Sequence, residues 1–222
     1  MDFTFFTNLY MLICSGFGLF FGIGRFMKKK RPPTYFLFIL FAIMSAFLSR
    51  IYYFVTVAFY GSVPDVFNVG FIGYAAMFLY MFFANFGQLD CLVDDRRTLK
   101  ARYRIIPVII PAVELFFGIY SLAFGTAKLS VRIPFLIISV LAGFAGYMNI
   151  KHFIIPDVDF GIIKAIRGYN LLAFLIGIFS LAEIGFSLFG VTGIIFYIQI
   201  ILGVLYAAAI PLLNSEVKKW TR

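Results

Sequence analysis

Apolar residues run through this chain in long blocks, and polar residues gather in the short gaps between them. Seven blocks, at 3–26, 34–60, 67–89, 105–125, 133–150, 169–190 and 192–213, are each predominantly apolar over about 20 residues. A helix rising about 1.5 Å per residue needs that length to cross a hydrocarbon core of roughly 30 Å. The pattern predicts an all-α polytopic membrane protein whose seven transmembrane helices form one domain over 1–222. The fifth block is short. The sixth and seventh are parted only by a tight turn at Gly190-Val191-Thr192-Gly193.

The gaps fix an expected orientation. Lys28, Lys29, Lys30 and Arg31 follow the first block, and Arg96, Arg97, Lys100, Arg102 and Arg104 follow the third. Lys151, Lys164 and Arg167 follow the fifth, and Lys218, Lys219 and Arg222 end the chain. The other side offers only Lys128 and Arg132. Short loops rich in Lys and Arg stay cytoplasmic, so the N-terminus is expected outside and the C-terminus inside, which requires an odd number of spans. The first block has no basic residue before it and exceeds a signal-peptide core in length, so it reads as a retained anchor.

Composition agrees. Of 222 residues, 63% are hydrophobic, 13% are charged and 31 are Phe, more apolar surface than a soluble domain of this size can hide. The net charge of +9 falls in separate clusters and not in a stripe that could follow a phosphate backbone, which argues against nucleic acid. With Cys14 and Cys91 at different depths and His152 the lone histidine, a disulfide framework, a zinc site and a haem pair all lack ligands. No cofactor is expected. No HExxH, GxSxG or phosphate loop occurs, so an enzyme is not expected. Retinal lacks a Schiff-base lysine between Thr192 and Leu213.

Charges inside lipid are costly, so each intramembrane charge is a functional candidate. Arg50 lies roughly 24 Å from the cytoplasmic end of span two and Glu183 roughly 21 Å from that of span six, both in the outer third. Similar depth makes them candidate partners. One reading is the floor of an outward pocket, with Arg50 receiving an anionic ligand group; the other is an interhelical ion pair that fixes packing. Tyr53, Tyr52, Tyr197 and Gln199 are placed to line the same pocket, and Ser180 and Ser187 share the Glu183 face at i−3 and i+4. Glu114, nearer the midplane with no basic residue at its depth, is a candidate proton site or a hydrogen-bonded packing residue. Asn85 and Gln88 are candidates for hydrogen bonds across helices.

Three further patterns bear on organisation. Spans one to three and five to seven run in the same directions with span four between them, which allows a 3+1+3 parallel repeat with Arg50 matched to Glu183 and Tyr74 to Tyr197. Gly18 and Gly22 form a GxxxG, suited to internal packing or to a homodimer. The loop 151–168 is either a short surface helix or an early start of the next span.

The run Asp94-Asp95-Arg96-Arg97-Thr98-Leu99-Lys100-Ala101-Arg102-Tyr103-Arg104 leading into Ile105-Ile106-Pro107, with Lys28-Lys29-Lys30-Arg31 before span two, resembles the seven-helix membrane module that precedes diguanylate cyclase or histidine kinase domains in bacterial sensors. The likeness is one of layout along the whole chain. It implies a bacterial cytoplasmic membrane. With no output domain expected after Arg222, it also implies a signal passed to a separate partner through loops 90–104 and 151–168. The leading expectation is therefore a membrane-embedded sensor for a small ligand. A small-solute transporter, proton-coupled through Glu114, is the alternative, and a non-catalytic complex subunit is a third.

Overall fold

The computed structural model describes residues 3–28, 34–64, 66–90, 101–156 and 162–220, with side chains placed in all of these except 3, 88–89, 162–165 and 216–220. Among the described residues the fold is entirely helical. The helices are α1 (Phe3–Met27), α2 (Thr34–Tyr60), α3 (Val69–Asn85), α4 (Arg102–Phe124), α5 (Leu129–Ile154), α6 (Ile162–Leu188) and α7 (Thr192–Trp220). Six are long and apolar enough to cross a membrane, and α3 is a shorter apolar helix that continues through a π-helical turn at Phe86–Asp90. The outward-facing side chains are large and apolar, Phe17, Phe20, Phe116 and Ile137 among them. This is the architecture of a polytopic helical membrane protein, because only lipid makes such a surface inexpensive.

Local sequence explains where the helices begin, bend and end. Asn68 caps α3, its side-chain oxygen accepting from the Gly70 N–H at 3.0 Å. In α4, Pro107 and Pro111 have no N–H to give, and the ladder there tightens to a 3-10 turn at Ile106–Val108. The end of α6 is a Schellman motif: Gly190 sits at φ +70°, its N–H bonds to the Ser187 carbonyl, and the Val191 N–H bonds to the Phe186 carbonyl. The tight turn expected at this point is what forms.

Several expected boundaries are corrected. The first turn of α4 carries Arg102 and Arg104, and α5 runs from Leu129 to Ile154 instead of stopping at 150. Helix α6 starts at Ile162, so loop 151–168 follows the early-start reading and not that of a separate surface helix. The ends were hidden because charged residues there stay helical once past the hydrocarbon. Lys29, Lys30 and Arg31, most of the 90–104 stretch, and Asp157 and Asp159 lie outside the described residues.

Packing closes six of the helices into a ring. Helix α1 lies against α2 and α7, α2 against α3, α3 against α5, α5 against α6, and α6 against α7. Helix α4 sits outside the ring, on α5, with only a marginal contact to α6. Small residues set these approaches. A Cβ on Gly18 would lie 2.5 Å from the Tyr206 carbonyl oxygen, and one on Gly22 would lie 2.6 Å from Leu40 and 3.2 Å from Ile210. The Gly18/Gly22 face is thus filled by α2 and α7 of the same chain, which removes it as a homodimer surface. On the other side, Gly143 receives Pro111 and Gly146 receives Ile110, bringing α4 onto α5.

Candidate functional site

The ring encloses a cavity of about 940 Å³ that opens at the end where α1 begins. All six ring helices contribute to its wall; α4 does not. Its polar floor follows from the depths of two helices. Arg50 in α2 is 1% exposed and Glu183 in α6 is 7% exposed, and they meet side by side. Arg50 Nη1 donates to Glu183 Oε1 at 2.8 Å while Nη2 donates to Oε2. Such a bidentate fork is the geometry in which a guanidinium and a carboxylate best offset each other's loss of water.

Two more donors complete the carboxylate. The Tyr74 hydroxyl in α3 donates to Oε2 at 3.1 Å, and Gln199 Nε2 in α7 donates to Oε1 at 2.7 Å. Four donors from three helices now converge on two oxygens, about the capacity of a carboxylate. The Tyr74 ring lies beneath the guanidinium, 5.4 Å from ring centroid to Arg50 Cζ. Tyr53 stacks obliquely on Tyr74 at 6.2 Å. Its ring end lies where a Cβ on Gly70 would fall 2.4 Å from the Tyr53 hydroxyl oxygen, so α3 approaches α2 only because residue 70 is glycine.

Arg50, Glu183, Tyr53, Gln199 and Tyr197 all border the cavity, as the sequence led us to expect. Tyr197 differs from the rest: it is 67% exposed and marks the rim. Tyr52 does not line the cavity and is corrected. Ser187 lines it but donates to the Ile184 carbonyl at 2.6 Å, while Ser180 turns inward to the Tyr206 hydroxyl at 3.0 Å. Of the two roles expected of Arg50, the interhelical ion pair forms, with both terminal nitrogens donating to Glu183. Its Nε alone has no hydrogen-bond partner among the described residues.

Glu114 stands apart. It is 6% exposed in the seam between α4 and α5, near Gly146, and its Oε2 has no hydrogen-bond partner among the described residues. It does not line the cavity.

Below the pair the ring interior is filled. Tyr206, Met77, Phe78 and Met81 are all buried, with the Tyr206 hydroxyl 3.5 Å from Met77 Sδ. Nearer the basic end, Asn85 Nδ2 donates to Asn149 Oδ1 at 2.7 Å, and Asn85 Oδ1 is 3.1 Å from His152 Nδ1. Lys151 Nζ donates to Asp90 Oδ1 at 2.6 Å, and His152 Nε2 is 3.4 Å from the same oxygen. Burial works against the Asp90 charge. The hydrogen bonds and positive charge of His152 and Lys151 outweigh it and hold the carboxyl below the usual range. Asn85 is therefore the interhelical glue expected of it; the side chain of Gln88 lies outside the described residues.

Sequence reasoning missed Tyr206 and the polar patch of Thr4, Thr7 and Asn8 at the mouth. Both had a signal. Tyr206 follows Gln199 by seven residues, hence on the same helical face, and 4, 7 and 8 share one face of α1.

No family model matches this chain, and neither a curated protein nor a solved structure does.

Proposed function

We propose that this protein is a membrane-embedded, receptor-like sensor that binds a small molecule in the cavity above Arg50 and Glu183. The observation that carries the reading is one-sidedness. The cavity has a mouth at the end where α1 begins, while packed side chains fill the ring from Tyr206 to the Asn85–His152 layer. We place the mouth outside the cell. The basic residues Lys28, Arg102, Arg104, Lys151 and Arg167 all fall at the opposite end of the helices, and the positive-inside rule makes that end cytoplasmic. The resemblance to bacterial sensor modules supports a bacterial cytoplasmic membrane and a separate cytoplasmic partner reached through 90–104 and 151–168. A ligand touching Tyr53, Tyr74 and Gln199 would bear on α2, α3 and α7 at once, and α3 leads directly into the first of those loops.

A thermal-shift screen of small molecules on the protein in lipid nanodiscs tests this. Ligands that stabilise the wild type should lose their effect in Arg50→Met/Glu183→Leu, a double variant that keeps the floor packed but removes its ion pair. Undiminished responses in that variant would refute the pocket.

One observation favours transport as a second reading. The ring maps onto itself when α1, α2 and α3 are exchanged with α5, α6 and α7: the contacts α1–α2, α2–α3 and α3–α5 become α5–α6, α6–α7 and α7–α1. This is the neighbour pattern of a 3+1+3 parallel repeat with α4 as the linker, and it puts Arg50 and Glu183 on matched helices. Proton coupling through Glu114 would have to act across α5. Uptake into proteoliposomes under a pH gradient, unchanged in Glu114→Gln, would exclude that coupling.

A further inference from the structure

Resting on the pocket reading above, the geometry points to the class of ligand: an uncharged molecule with an aromatic or otherwise apolar body and a hydrogen-bond-accepting head such as a carbonyl. The two Glu183 oxygens already accept from Arg50 twice, from Tyr74 and from Gln199, so the one anion at the cavity has about no acceptor capacity left. Tyr53 lines the cavity, and its hydroxyl makes no hydrogen bond to another described residue. The donor left open toward a ligand is thus the Tyr53 hydroxyl, which an accepting head would satisfy.

The remaining wall adds no charge. Of the described residues lining the cavity, only Arg50 and Glu183 are ionised, and each neutralises the other. An anion or a cation entering here would leave its own charge uncompensated in a medium of low dielectric, or would have to break the fork to obtain a partner. Asn68 is unavailable as well, because its amide is committed to the Val66 carbonyl and the Gly70 N–H. Around this floor stand Phe71, Val131, Ile184, Leu188 and Phe196, an apolar wall suited to a ring system.

Four probes that share a naphthalene body separate the possibilities: 2-acetylnaphthalene, 2-ethylnaphthalene, 2-naphthoate and 2-naphthylmethylammonium. Binding is read by thermal shift and by equilibrium dialysis on the protein in nanodiscs, with empty nanodiscs subtracted. The ketone is expected to bind saturably and more tightly than the other three. Tyr53→Phe should weaken it about five-fold, the equivalent of one hydrogen bond. Val131→Trp, which fills the cavity, should abolish it. Tighter binding of the naphthoate or the ammonium, blocked by Val131→Trp, would overturn the ligand class while leaving the pocket standing. Equal binding of ketone and hydrocarbon would likewise overturn the accepting head. If no probe binds, or if Val131→Trp leaves binding intact, both the class and the pocket reading fail.

Discussion

Removing one member of the buried fork should be far more damaging than removing both, and the two single losses should be unequal. Glu183→Gln keeps the shape of the side chain and one acceptor oxygen, for either Tyr74 or Gln199, which bond opposite oxygens of the carboxylate. What disappears is the negative charge facing a guanidinium that is 1% exposed. Arg50 stays charged at any working pH, so the cost should approach the roughly 3–5 kcal/mol typical of a stranded buried ion. Arg50→Met strands a carboxylate instead. A carboxylate can be neutralised by a single proton and retains two donors here, so the loss should be nearer to the roughly 1–3 kcal/mol of broken hydrogen bonds. Arg50→Met/Glu183→Leu replaces the fork by apolar side chains and should fall within about 1 kcal/mol of the wild type. Reversible unfolding in mixed SDS micelles measures all three. A cost below about 1 kcal/mol for Glu183→Gln, or a double variant as unstable as the worse single one, would refute the view that the pair is mutually compensating and dry.

Three further outcomes are expected. Gly18→Ala, whose Cβ would meet the Tyr206 carbonyl at 2.5 Å, should destabilise by about 1–3 kcal/mol, whereas Gly24→Ala, with nothing within 4 Å, should stay within about 1 kcal/mol of the wild type or gain; the same unfolding assay reads both. Glu114→Gln should cost less than about 1 kcal/mol, since one of its oxygens has no hydrogen bond to lose. At neutral pH the wild type should be more stable than Asp90→Asn. Because the folded carboxyl titrates below its unfolded value of about 3.9, that advantage is present above about pH 4 and is lost as the pH falls through the lower folded value. Melting temperatures of the two proteins from pH 7 down to pH 3 check this, and a gap that widens on acidification would contradict it.

Some of this protein was settled by its sequence alone, because those features depend on distance along one helix. An apolar run of a given length must be helical in lipid, and rise per residue turns position into depth, so Arg50 and Glu183 could be paired before any contact was known. The Gly190 turn is equally local, since it rests on the one residue that adopts φ +70° without strain. What only the tertiary structure decided is which way each helix is turned and which helices are neighbours. Gly18 and Gly22 could have met any partner, and closure of the ring gave them to α7 and α2. Tyr74 and Gln199 lie on helices far apart in the chain, and their joint arrival at Glu183 is what fills the acceptor sites of its carboxylate. Depth is summed along the backbone. Azimuth and neighbourhood are set by side chains that meet from distant segments, and a linear pattern does not carry them.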